Sequence, residues 1–202
     1  MRLGSLFPER TARTLNQTVK VCAGCNNGWM SRLETAAKPV LERLLTGSPL
    51  ALSVDQQHVV AQWFVKNAVL HDWLLSPPER TANDAHRRDV RHGRLPVGWQ
   101  VLLGALEEEE KVHWSHRMGA RIEWRHADGS LRGRCVLHTT AFEALAAQVV
   151  LHNLDEEPTF DQLLGGPGWA VRIAPARGPI AWPPPRKFTQ EWLTVVGDPS
   201  AP

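Results

Sequence analysis

Apolar residues recur at helical spacing in the first half of the chain and at alternating spacing in the second. Leu33, Ala36, Ala37, Val40, Leu41, Leu44 and Leu45 fall on one side of a helix predicted from Arg32 to about Leu45. Pro39 lies inside it and predicts a kink or a fresh start, because proline removes one backbone hydrogen bond and crowds the preceding turn. Gly47-Ser48-Pro49 ends it. Ser53 then caps the strongest helix, Val54 to about Leu75. Val59, Val60, Trp63, Phe64, Ala68, Leu70, Trp73 and Leu74 cover most of its circumference, with Asp55, Gln62 and Lys66 as a polar stripe. A helix apolar over so much of its surface belongs to a core. Asn67 and His71, one turn apart, read as a satisfied, partly buried pair. Asn83 to His92 reads as a short polar helix with Gly93 as its C-cap.

From Leu95 onward the period falls to two. Trp99 to Leu103, Val112 to Ser115 and Arg121 to Trp124 read as strands, and Asp128-Gly129 as a hairpin turn into Leu131 to His138. An antiparallel sheet is expected across about residues 97–140. Thr140 to His152 is ambiguous: its alanines favour helix, while Gln148-Val149-Val150-Leu151 favours strand over the second half. Gly165-Gly166-Pro167-Gly168 lacks the Lys-Ser/Thr of a phosphate loop. Trp169 to Ile173 reads as a strand, Trp182-Pro183-Pro184-Pro185 as a polyproline segment barred from a central strand, and Thr189 to about Val196 as a short last helix. The expected class is α+β. Residues 1–46 form a strand, knuckle and helix fragment, 47–95 a helical middle, and 96–202 an antiparallel β-rich part, packed as one globular unit.

Composition changes this picture little. At 202 residues, with 43% hydrophobic and 22% charged residues, the chain can bury an ordinary core. No apolar run approaches the roughly 20 residues needed to span a bilayer, and Met1 to Pro8 has no signal-peptide core, so no membrane association and a cytoplasmic location are expected. Three cysteines are too few for a secreted disulfide scaffold. Net charge is only +2, but residues 1–46 hold seven Lys/Arg against three Asp/Glu, a balance compatible with phosphate contacts and equally with an ordinary solvated surface. Arg87, Arg88 and Arg91, beside His86 and His92, offer a second basic face with the same two readings.

Specific chemistry is suggested in one place, Val21-Cys22-Ala23-Gly24-Cys25-Asn26-Asn27-Gly28-Trp29-Met30-Ser31-Arg32-Leu33-Glu34. Thiolates spaced C-x-x-C in a tight turn can share one metal ion. Ser31 and Glu34 read as an S-x-x-E capping box, so the helix is expected to begin just after Ser31. A redox dithiol would sit at the start of a helix. Asn26, Asn27 and Gly28 separate Cys22 and Cys25 from the capped helix, which favours metal over redox chemistry. Tetrahedral zinc needs four ligands, and the chain has no second cysteine pair. Cys135 and one of nine histidines complete the set only if the fold brings them close. Two free thiols in a packed turn are the bland alternative.

Asn16 to Val21, Cys22, Cys25, Asn26 and Asn27 together resemble the C-terminal half of the HNH endonuclease motif, the ββα-metal or treble-clef finger. Cys25-Asn26-Asn27-Gly28-Trp29-Met30-Ser31 with Trp182-Pro183-Pro184 is similar to a bacterial group of HNH-like proteins. The resemblance covers about residues 16–45. It implies Asn16 and Asn26 as remnants of the catalytic site, and Cys22 and Cys25 as half of a structural zinc site. A divalent cation such as magnesium would stabilise charge on the scissile phosphate of an active form. The family's general-base histidine and first C-x-x-C have no counterpart before Asn16, since the first histidine is His58. The expectation is therefore an HNH-like, metal-dependent nuclease homologue, truncated or catalytically impaired. The alternative is a non-catalytic module in which the knuckle binds nucleic acid or protein, with Lys20, Arg32 and Arg43 contacting DNA phosphates.

Overall fold

The computed structural model describes residues 21–107, 112–154 and 168–189, with side chains of 112–122 and 124 left undescribed. Asn16, Lys20, the lead-in strand, the acidic turn and the Thr189 to Val196 helix lie outside the described residues in whole or part. Among the described residues the fold is α+β, as the change of period predicts.

Helix α1 (Ala23–Cys25) passes through a wide turn (Asn26–Met30) into α2 (Ser31–Leu45). Strand β1 (Leu50–Leu52) precedes α3 (Val54–Trp73), and α4 (Asp84–Arg91) follows a single 3-10 turn, Pro77–Glu79. The β region comprises β2 (Gln100–Leu106), β3 (Val112–Arg125), β4 (Leu131–Glu143), β5 (Leu145–His152), β6 (Ala170–Ala174), β7 (Ile180–Trp182) and β8 (Lys187–Phe188). The main sheet runs β3-β4-β5-β2-β6, all neighbours antiparallel, with β8 joining β2 in parallel. A separate ribbon pairs β1 with β7, Leu50 opposite Trp182. Trp182 ends this short strand and is buried in the core, with Pro183 just beyond the pairing.

Period two decides which sheet residues face the helices. Val101, Leu103 and Ala105 of β2, and Leu145, Ala147, Val149 and Leu151 of β5, share a core with α2 and α3. Leu106 and Ala146 turn to the other face, against Phe188. Strand β5 is buried along its whole length. This settles the ambiguous stretch. All of Thr140 to His152 is extended apart from a turn at Ala144, because small alanines fit between sheet layers where a helix would lose its pairing partners.

Helix α3 is the hub. The Ser53 hydroxyl and the Gln56 side chain close a capping box at its start. Its expected polar stripe is corrected: Gln62 and Lys66 are both buried. Lys66 Nζ, in a side chain only 4% exposed, reaches Glu34 Oε1 at 2.7 Å, tying α3 to α2. Gln62 donates to the Gly93 carbonyl. Two more expectations are corrected. The fresh start offered as one alternative at Pro39 is not seen: helix α2 continues through it, with Pro39 and Thr35 on the exposed face, where water can satisfy the released carbonyl. Ser31 is no cap. It has helical dihedrals and makes no capping hydrogen bond, while Glu34 serves Lys66 instead. Among the described residues, no helix is long and apolar enough to cross a membrane.

Candidate functional site

Helical structure begins at the cysteines. Cys22 is extended (φ −64°, ψ 146°) and occupies the N-cap position. Its Sγ accepts the Cys25 N–H at 3.1 Å, and its carbonyl accepts the N–H groups of Cys25 and Asn26 at 3.0 and 2.9 Å. The thiol caps this short turn, while α2 follows from Met30 without a side-chain cap. The pair lies on a three-residue helical turn of its own, and Asn26–Met30 separate it from α2 as the spacing predicts, so the choice between metal and redox chemistry rests on what surrounds the two thiols. The wide turn that follows breaks helical geometry at Gly28 and carries Trp29 onto the core.

The two thiols differ. Cys22 is exposed, and hydrogen bonds from the Cys25 side chain and backbone lower its pKa, with Arg91 adding to the effect. The same interaction with Cys22 raises Cys25, and burial adds to that rise. The Trp29 indole N–H opposes it. That N–H is buried and makes no well-directed hydrogen bond, yet it stands close enough to favour the Cys25 thiolate.

Beside this turn lies an open groove of about 360 Å³ between α2, α3 and α4. Trp29, Leu33, Ala36, Val59 and Val90 form its apolar part, and Arg32, Arg91 and His92 its basic part, with no carboxylate in the lining. The exposed Ala36, expected on the inner side of its helix, contributes to this groove. Helix α4 is held in place by Asn83, whose side chain accepts the His86 N–H at 2.9 Å, and by Gly93, whose φ of 74° suits a residue without Cβ. Arg87 pairs with Asp84 and lies over the Trp73 ring at 4.5 Å, and Arg94 pairs with Asp89. Arg32, Arg88 and Arg91 form no ion pair among the described residues, so their charges face solvent.

Of the residues singled out from sequence, Cys22, Cys25, Asn26 and Arg32 share this neighbourhood. Asn26 is exposed and donates weakly to Asn27 Oδ1 at 3.5 Å. Arg43, eleven residues beyond Arg32 on α2, lies on the same side of the helix but about 16 Å further along the axis, and it does not line the groove. Arg91 and His92 enter in its place. Their signal was the run of basic residues on a short polar helix.

A structural zinc ion would need two more donors than the cysteine turn offers. Among the described residues no three His, Cys, Asp or Glu side chains gather around a common point. Cys135 is buried on β4, where burial pushes its thiol well up, and it does not join the pair. The described residues therefore do not fit a complete zinc site. No protein-family model, curated protein or solved structure matches this chain, so the resemblance to HNH endonucleases stands on the quoted residues alone.

Proposed function

We propose that the groove beside the cysteine turn is a non-catalytic contact face for a nucleic-acid backbone. The observation that carries this reading is the convergence of Arg32 from α2 with Arg91 and His92 from α4 on one groove without carboxylates. Unpaired guanidinium groups bind phosphate oxygens in a planar, bidentate manner, and each phosphate neutralised releases counterions. Trp29 adds an aromatic surface in the same lining. The reading keeps the nucleic-acid partner implied by the HNH resemblance and does not include its hydrolytic step.

Fluorescence anisotropy with a labelled DNA duplex tests it across a salt series. The intact chain is expected to bind at low salt, with affinity falling linearly in log–log form. Replacing Arg32 and Arg91 together with alanine should flatten that slope by about two phosphate contacts, at roughly 0.9 per contact. Arg43→Ala should change it much less. Absence of binding at low salt, or an equal loss from Arg43→Ala, would sink the proposal. Plasmid nicking with magnesium or manganese that disappears in Asn26→Ala would restore the endonuclease reading.

A further inference from the structure

The cysteine pair supports a second chemistry that does not depend on the groove. Two thiols on one helical turn can ligate half a metal site, or they can bond to each other. The described residues supply no third or fourth ligand, so the second course is open. The geometry suits it. Cys22 and Cys25 bracket a turn closed by the Cys25 N–H to Cys22 carbonyl bond of 3.0 Å. Such a turn holds its end Cα atoms within about 7 Å, a range that overlaps the usual disulfide separation of about 4.4–6.8 Å. The Cys25 N–H lies 3.1 Å from Cys22 Sγ, so the first sulfur already points back over the second residue. Access is asymmetric: Cys22 is exposed and Cys25 half-buried, so Cys22 is the more accessible to an incoming molecule.

We propose that Cys22 and Cys25 form a redox-active dithiol that exchanges with small-molecule disulfides, Cys22 attacking and Cys25 resolving. Cys22 gives its proton to solvent, and its sulfur attacks one sulfur of the incoming disulfide. That S–S bond breaks, and the departing thiolate takes up a proton. Cys25 then loses its proton to solvent and attacks Cys22 Sγ. The mixed disulfide breaks, and the second thiolate leaves and is protonated. The protein dithiol is oxidised to an intramolecular disulfide, the small disulfide is reduced to two thiols, and no net protons are consumed. Cys135, buried on β4, takes no part and serves as an internal reference.

The test uses the full chain, excess glutathione disulfide, alkylation under denaturing conditions and intact-mass spectrometry. The expected product has lost two hydrogens, retains no glutathione and is alkylated only at Cys135. Cys25→Ser should retain one glutathione on Cys22, whereas Cys22→Ser should lose the fast reaction. Three alkylated cysteines in the treated wild-type chain would overturn the proposal. So would stable glutathione on both Cys22 and Cys25, or a tightly held zinc ion that shields both thiols. The wild-type measurement decides the matter even if a variant misfolds, and DNA binding by the groove can succeed or fail independently.

Discussion

Asp72 has no exposed surface, yet it carries a carboxylate. Its oxygens accept the Thr81 N–H at 2.9 and 3.2 Å and the Ala82 N–H at 3.0 Å, which ties the end of α3 to the chain entering α4. Burial raises its pKa above the ordinary 3.8, outweighing those hydrogen bonds and the nearby Arg87 and Arg80. A carboxyl group held above its unfolded value favours the folded state most when protonated, so its contribution declines as pH rises from below 3.8 through the raised value. Asp72→Ala leaves two buried N–H groups without an acceptor. A loss of about 2–4 kcal/mol is expected near neutral pH, measurable by urea unfolding. A change within about 0.5 kcal/mol would show that water replaces the carboxylate. Nothing in the sequence marks Asp72 beyond its place on a helix. Its role depends on a loop that returns nine residues later, which no helical periodicity encodes.

At the scale of elements, the join between β2 and β8 is the sharpest constraint. Gly104 sits mid-strand, where a Cβ would overlap the Phe188 ring. Phe188 is fully buried and stacks on Trp169 at 5.3 Å. Gly104→Ala is expected to cost about 1–3 kcal/mol by overpacking. Combining it with Phe188→Leu should give less than the sum of the two single losses, since both act on one contact. Strict additivity in thermal unfolding would refute this coupling. The elements themselves were largely legible. Helices α3 and α4 with their caps, the hairpin at Asp128-Gly129 and the strand at β6 follow from spacing and turn residues. The start of the first helix was not legible, because Ser31 and Glu34 satisfy a capping pattern that tertiary contacts override. Glu34 is drawn to Lys66, thirty-two residues away, and Met30 at the N-cap position offers no side-chain cap.

Across the whole molecule, two half-buried histidines on α3 and α4 respond to acid. His71 is half-buried, and burial lowers its pKa. His86 packs edge-on against Trp99 at 4.9 Å, and burial, with His152 nearby, lowers its pKa as well. A histidine depressed below its unfolded value of 6.5 favours the folded state when neutral. Stability tied to these two groups is therefore present above about pH 6.5 and lost as pH falls below it. Melting temperature should drop between about pH 7.5 and about pH 5.5, and the drop should shrink in a His71→Gln, His86→Gln double variant. Glutamine suits the capping-box position that His86 occupies, so helix α4 retains its start. An unchanged pH dependence would show that other groups control the acid response.

The sequence alone determined the long helices α2, α3 and α4 and the antiparallel strands from Trp99 to His138, since burying one face imposes a period of 3.6 or 2 on the apolar positions, but it left Thr140 to His152 open and did not mark β1 or β7. It also suggested that Cys22 and Cys25 share a turn, because the C-x-x-C spacing with Gly24 between them suits a tight turn. Only the tertiary structure decided what surrounds that turn. Arg91 and His92 reach it from α4, Arg43 does not reach it from α2, and Cys135 remains in the sheet. Such contacts join residues far apart in the chain. They depend on how the helices cross and how the strands are ordered, and local spacing carries no record of either.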